Sequence, residues 1–267
     1  MNKFPSADAD RSSGGAWRAI AARLSSIDEL SSDQEQALAN APIRVVNFER
    51  GDDVFVEGDS QTSVYFCSTG WGARYKILVE GKRQIIDFLL PGTFFGSFSD
   101  EDGRHTISAR AIDKFEIAVI DDAVIHELGD HSQAILSRIA LALTEEETRL
   151  RERVVSLGRR TAEQRIGHLL LELHHRLSKS HPTPTREGDV IRFPVPQLEI
   201  ADLLGLTSVH VSRTMRSMSE RGLIDYNDDQ FAIQQIDELM EISDFNPGDA
   251  SPLVLPDTLR QALLSDS

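Results

Sequence analysis

Between Asp130 and Leu157 the chain runs for 28 residues without a proline or glycine. Apolar side chains recur along it at Ile135, Ile139, Leu143, Leu150, Val154 and Leu157, spaced by threes, fours and sevens. The pattern predicts one continuous helix, which at 1.5 Å per residue spans about 42 Å. A helix that long exceeds what a compact domain needs for its own core. A seam of this kind is the sort that pairs with a second copy of itself, so the six apolar residues are the expected dimerisation seam. The run Glu145-Glu146-Glu147 interrupts it, and packing of the helix on its own sheet alone is the other arrangement open here. Either way, the helix separates two different kinds of sequence.

On the N-terminal side, residues 1–15 are rich in Ser, Asp, Gly and Ala and read as a disordered arm. Two short helices are expected next, one over Ala16 to Leu24 and one beginning at Ser32, where Ser32 and Glu35 fit a capping box. From Ile43 to Ile120 short β-prone runs follow one another, among them Val64 to Cys67, Ala73 to Leu78, Gln84 to Leu90 and Phe115 to Ile120, with Gly, Asp or Pro turns between. Many short strands at such spacing predict a sandwich or roll. A helix start is expected at Asp121-Asp122.

With 267 residues, 40% of them hydrophobic and 27% charged, the chain has the composition of a soluble globular protein of one large or two ordinary domains. No apolar run approaches the roughly 18 residues a membrane-spanning helix needs, and no apolar stretch follows Lys3 as a signal peptide requires. A cytoplasmic location without membrane association is therefore expected. The single cysteine, Cys67, rules out an internal disulfide and any thiolate-rich metal or iron–sulfur site within one chain. Alternation in its strand reads as a small buried hydrophobe.

The net charge of -15 argues at first against nucleic-acid binding. It hides an asymmetry. From Arg159 to Arg221 ten basic residues face seven acidic ones, and five of the eight histidines (His168, His174, His175, His181, His210) fall in the same segment. If any part of the chain meets DNA, it is this one. A helix is expected over Thr161 to Leu177, a strand over Val190 to Phe193, helices over Gln197 to Leu204 and Ser208 to Glu220, and a hairpin of Leu223 to Tyr226 and Gln230 to Ile233. The residues beyond Asp244 read as mobile.

The two helices Gln197 to Leu204 and Ser208 to Glu220 form the informative pair. A steep crossing needs a small inner residue, Ala201, and a turn residue tolerant of positive φ, Gly205. Ile200, Leu204, Leu206 and Val211 sit where such a pair buries contacts, with Thr214 a polar departure at the next expected apolar position. With the hairpin downstream, the reading is a winged helix-turn-helix. Its second helix would enter the major groove. Ser208, Val209, His210, Ser212 and Arg213 would face the bases, Thr207 would cap the helix, and Arg216 would contact the backbone. Arg213 carries the chemistry for bidentate reading of guanine.

At this point the chain resembles the Crp/Fnr transcription regulators. The likeness rests on the order of strands, long helix and helix-turn-helix, and on the phrases Gly158-Arg159-Arg160-Thr161-Ala162-Glu163-Gln164-Arg165-Ile166 and Leu204-Gly205-Leu206-Thr207-Ser208-Val209-His210-Val211-Ser212-Arg213-Thr214. The run from Gly70 to Gly92 is similar to a less characterised subgroup. The resemblance implies an α+β chain: a double-stranded β-roll of the cyclic-nucleotide-binding, jelly-roll type, a dimerisation helix and a C-terminal winged helix-turn-helix. The corresponding division is 1–23 arm, 24–121 roll, 122–157 linker and dimerisation helix, 158–235 DNA-binding domain, and 236–267 C-terminal helix and tail. It implies a homodimer on a palindromic promoter site, acting on RNA polymerase. A nucleotide- or ligand-sensing module without direct DNA binding is the alternative.

In the family's cyclic-AMP binders a Gly-Glu pair holds the ribose and an Arg-Ser pair the phosphate. Here the matching effector region is Gly96, Ser97, Arg104, His105 and Thr106, with Ser97 in the glutamate's place and His105 in the arginine's. Losing both the carboxylate and the fixed cation argues against cyclic AMP. No cofactor is expected and the effector stays open. The strand block holds His105 alone of the histidines and no nucleophile, phosphate-loop or metal pattern, so the chain is not expected to be an enzyme.

Overall fold

The structure, a computed structural model, describes residues 15–96, 99–180, 186–227, 229–250 and 256–264. Two helices, α1 (Ala16–Ser25) and α2 (Ser32–Asn40), precede eight strands: β1 (Arg44–Phe48), β2 (Asp53–Phe55), β3 (Ser63–Thr69), β4 (Gly72–Ile77), β5 (Arg83–Leu89), β6 (Phe94–Phe95), β7 (Ser108–Ala111) and β8 (Phe115–Asp121). They make two four-stranded sheets, ordered β1-β8-β3-β6 and β2-β7-β4-β5. Helices α3 (Asp122–His131), α4 (Gln133–Arg159) and α5 (Ala162–Ser180) follow. Next come β9 (Ile191–Arg192), α6 (Gln197–Leu204), α7 (Ser208–Glu220), β10 (Ile224–Tyr226), β11 (Gln230–Ile233) and α8 (Ile236–Ser243). A short 3₁₀ turn, Pro247–Ala250, and α9 (Asp257–Leu264) complete the described elements.

Among the described residues, one compact unit takes the chain up to Gly72, Leu89 to Thr144 and the α9 segment; the other takes Ala73 to Phe88 and Glu145 through the Pro247–Ala250 turn. The division cuts α4 inside the segment 122–157 and takes the β4–β5 hairpin out of the segment 24–121.

In the first unit the period-2 geometry of a strand puts neighbouring side chains on opposite faces, and the middle strands bury both. Phe66, Phe94, Ala118 and Ile120 meet Ile20, Leu24, Leu38, Val124 and Leu128 of the helices. Tyr65, Cys67, Phe95, Ile117 and Val119 face a second core with Phe55 and Phe115. Cys67 is fully buried there, a packing residue by position.

Four expectations change. Residues 16–23, placed in the arm by the domain division, are α1, the helix expected over Ala16 to Leu24, which buries Ile20, Ala21 and Leu24 in the helical core. The capping box lies one residue earlier: Ser31 accepts from Gln34 N, and the Gln34 side chain accepts from Ser31 N at 3.1 Å. The long helix begins at Gln133, because Ser132 adopts extended backbone and its hydroxyl, buried, accepts from Gln34 Nε2 at 3.1 Å. The segment read as mobile beyond Asp244 includes the Pro247–Ala250 turn and α9, whose Leu264 is buried.

The seam divides as well. Ile135 and Ile139 are buried in this chain's own helical core, so they are not open to a partner helix, and Leu143 packs against that core while half-buried. Farther along, Leu150 and Leu157 are half-buried and Val154 is 71% exposed. The apolar face left uncovered lies on the second half of α4.

Candidate nucleic-acid interface and effector region

The second unit builds the helix-turn-helix from a small set of constraints. Helix α6 ends at Leu204 because Gly205 takes the left-handed conformation (φ 63°, ψ 37°) that a side chain would resist. Helix α7 starts three residues on, where the Thr207 hydroxyl accepts from His210 N at 3.2 Å. Ile200, Ala201, Leu203 and Leu204 of α6 are buried, as are Val211, Met215 and Met218 of α7. That stripe, at i, i+4 and i+7, explains the polar Thr214: it lies at the edge of the packed face, half-buried, while Met215 fills the core. The wing is a three-stranded sheet ordered β10-β11-β9. Its Phe231 packs edge to face with Phe193 at 5.3 Å between ring centres.

Packing one stripe of α7 leaves another outside. Thr207, Val209, His210, Ser212, Arg213 and Arg216 are all exposed, and Ser208 is half-buried. The structure thus gathers every residue expected to meet DNA on or beside one capped helix. Arg216 is tied to Glu220 at 2.8 Å in an exposed i,i+4 pair, of the kind worth under about 1 kcal/mol. No intramolecular partner is seen for the Arg213 side chain among the described residues.

Four of the ten basic residues counted from the sequence are engaged within the fold. Arg160 pairs with Glu152 at 3.0 Å, Arg176 lies against Asp87 and Glu172, both at 3.2 Å, and Arg221 pairs with Glu163 at 2.6 Å. Arg165 donates to the carbonyls of Leu157, Arg160 and Leu204 at 2.9–3.0 Å. Two of the five histidines, His168 and His174, are buried. Burial first, then the Arg160 and Arg153 charges, push the His168 imidazole down to about 3. His181 lies outside the described residues.

A buried charge cluster in this unit carries no sequence signature. The Asp87 carboxylate of β5 accepts from Arg149 Nε at 3.0 Å and Arg176 Nη1 at 3.2 Å, with Arg74 Nη2 at 3.7 Å. Arg74 also pairs with Glu146 at 2.7 Å, and Arg153 with Glu172 at 3.1 Å.

The effector region, in the first unit, is packed rather than open. The His105 ring stacks on Phe55 at 3.7 Å, nearly parallel at 7°, with Tyr65 at 6.1 Å, and is 2% exposed. Burial pushes its imidazole below the ordinary value, with Asp59 opposing. Gly96 has φ 76°, and a side chain there would run into the Tyr65 ring. Arg104 is exposed and donates to Gly58 O at 2.7 Å; Thr106 is exposed too. Ser97 lies outside the described residues. Of the five, Gly96 and His105 converge on one aromatic cluster while Arg104 and Thr106 sit at the surface. A neutral imidazole inside an aromatic stack does not replace the guanidinium that a cyclic phosphate requires, so His105 does not fit the phosphate position of a cyclic-nucleotide site. Among the described residues no group of three His, Cys, Asp or Glu could hold a metal ion, and no helix is long and apolar enough to cross a membrane.

Comparison with known proteins agrees with this arrangement. Residues 164–242 match the Crp-like helix-turn-helix domain, and residues 45–132 match the cyclic nucleotide-binding domain. The chain is 35% identical over 181 residues to the nitrogen fixation regulation protein FixK of Bradyrhizobium diazoefficiens, covering 68% of this chain and 74% of that one. It is 32% identical to the FixK of Rhizobium meliloti over 71% of this chain and 82% of the relative. Among solved structures, FixK2 from Bradyrhizobium japonicum superposes with a TM-score of 0.66 at 23% identity, covering 75% of this chain and 96% of that one, a likeness of fold.

Proposed function

The chain belongs to the Crp/Fnr family of DNA-binding transcription regulators, and from that premise we propose that it acts as a homodimer joined along the second half of α4, reading a palindromic promoter site. The observation that carries the reading is α7 itself. Its buried stripe of Val211, Met215 and Met218 fixes the helix, and its opposite face presents Val209, His210, Ser212 and Arg213 to solvent behind a capped N-terminus.

Each residue then has a role. Arg213 donates two hydrogen bonds to guanine O6 and N7, Val209 meets a thymine methyl, and His210 and Ser212 reach bases or phosphates. Thr207 and the free N–H groups of the first turn hold a phosphate, and Arg216 neutralises another once it leaves Glu220. The exposed Val154 supports pairing of two α4 helices. RNA polymerase is the partner on which such a regulator acts, in the cytoplasm where promoter DNA lies. No catalytic role is assigned, since the relatives are regulators. The packing of His105 supports a regulator whose roll answers to something other than a cyclic nucleotide.

Selection of random duplex DNA by the purified, ligand-free chain, followed by sequencing, tests the reading. The expected result is an enriched palindrome with half-sites about one helical turn apart. Absence of enrichment, with cell extract as well as without it, would refute the reading and favour a sensing module that does not bind DNA.

A further inference from the structure

The C-terminus of α6 is closed from outside the helix-turn-helix. A helix leaves its last four carbonyls without intrahelical partners. Here the Ala201 carbonyl accepts from the turn's own backbone, Leu206 N at 3.0 Å. The next two do not: Gln84 Nε2, on β5, donates to Asp202 O at 2.7 Å and shares its other proton between Leu203 O at 3.2 Å and the neighbouring Ile85 O at 2.9 Å. The last, Leu204 O, accepts from Arg165 of α5 at 2.9 Å. Beside Gln84, Arg83 Nη2 lies 2.7 Å from Asp202 Oδ2 and 3.5 Å from Glu199 Oε1, with the arginine and aspartate side chains only 19% and 21% exposed. The β4–β5 hairpin therefore grips α6 by a side-chain amide on its terminal carbonyls and a guanidinium on two of its carboxylates.

We infer that Arg83 and Gln84 are positioning residues for DNA recognition, latching α6 so that the Gly205 turn holds α7 at the angle the major groove requires. The hairpin reaches α6 and leaves the outward face of α7 exposed, so the latched arrangement is the one competent for DNA. Neither residue meets a base. Removing the latch lets α6 sample other settings, and the competent fraction, with it the apparent affinity, falls. The inference rests on α7 being the recognition helix.

The test uses the full-length chain and two duplexes of equal length, the selected operator and a scrambled sequence. Gln84→Met keeps the size of the side chain and removes its donors. Arg83→Asp and Asp202→Arg are each made alone and together. The ratio of operator to scrambled-duplex affinity, in which the change of net charge largely cancels, is expected to fall about tenfold in Gln84→Met and in each single charge reversal, with the far-UV circular dichroism spectrum unchanged. The double reversal, which rebuilds the ion pair in the opposite sense, is expected to recover most of the loss. A ratio of operator to scrambled-duplex affinity equal to wild type, or higher, in the folded single variants would overturn the inference, as would a double reversal no better than its parts. Should Gln84→Met fail to fold, the charge-reversal series decides alone. A wild-type chain that does not separate the two duplexes would overturn the recognition reading itself, whereas a discriminating wild type with indifferent variants overturns only the latch.

Discussion

Replacing Asp87 by Asn should be among the most damaging single changes in the second unit. Its side chain is 2% exposed and meets Arg149, Arg176 and Arg74 at 3.0, 3.2 and 3.7 Å. Burial alone would raise this carboxyl, but Arg149, Arg176, Arg74 and Arg153 together outweigh it and hold it well below the usual carboxylate range. Breaking a buried ion pair by removing one partner costs about 3–5 kcal/mol, since the remaining charge is stranded in a poor solvent. Here four guanidiniums would be left with Glu146 and Glu172 alone, which places the expected loss in the upper half of that range. Against a total stability of about 5–15 kcal/mol, that brings the unit close to unfolding. Urea titration followed by far-UV circular dichroism reads the loss. The sign with pH follows from the depressed carboxyl: its stabilisation is full above the unfolded value near 4 and disappears as pH falls from there toward the folded value. Wild type should therefore weaken in acid more steeply than Asp87→Asn. A loss below about 1 kcal/mol would show that the arginines are satisfied without the aspartate, and the argument from buried charge would fail.

Three further outcomes are expected. Arg213→Ala should cost about 1–3 kcal/mol on the selected operator and relax the preference at one base pair per half-site, read by repeating the selection; an unchanged consensus would remove its base-reading role. Thr207→Ala, which deletes the α7 cap, should lower thermal stability by about 1 kcal/mol; no shift in the unfolding midpoint would mean the hydroxyl is dispensable there. Val154→Arg should convert a dimer to a monomer in light scattering, and a dimer that persists would place the subunit contact elsewhere than the second half of α4.

The helix-turn-helix was legible because its constraints are local. Gly205 supplies the turn, Thr207 the cap, and the spacing of Ile200, Leu204, Val211 and Met215 the buried stripe, so α6 and α7 occupy the residues expected. The capping box at α2 slipped by one because Ser31-Gln34 and Ser32-Glu35 satisfy the same pattern, and only packing chooses between them. The break at Ser132 was hidden for a related reason: its partner, Gln34, is 98 residues away and leaves no mark in the local periodicity. The basic excess between Arg159 and Arg221 pointed to the segment that matches the helix-turn-helix domain, although a charge count cannot tell a solvated arginine from Arg165 or Arg176, both engaged inside the fold. His105 stands out in the sequence as the residue in the arginine's place of the effector region. That it lies flat on Phe55 depends on a strand pairing no linear pattern reports.

The guanidinium of Arg165 has one more consequence. It donates to Leu157 O and Arg160 O at the end of α4 and to Leu204 O at the end of α6, so the negative poles of two helices are aimed at a single cation. Two such poles side by side would repel. With the cation between them they become a joint, and its three hydrogen bonds share one rigid planar group, so turning α6 against α4 strains all of them together. One planar group thus ties the end of the long helix to the end of α6, and a change at Arg165 alone would free both helix ends at once.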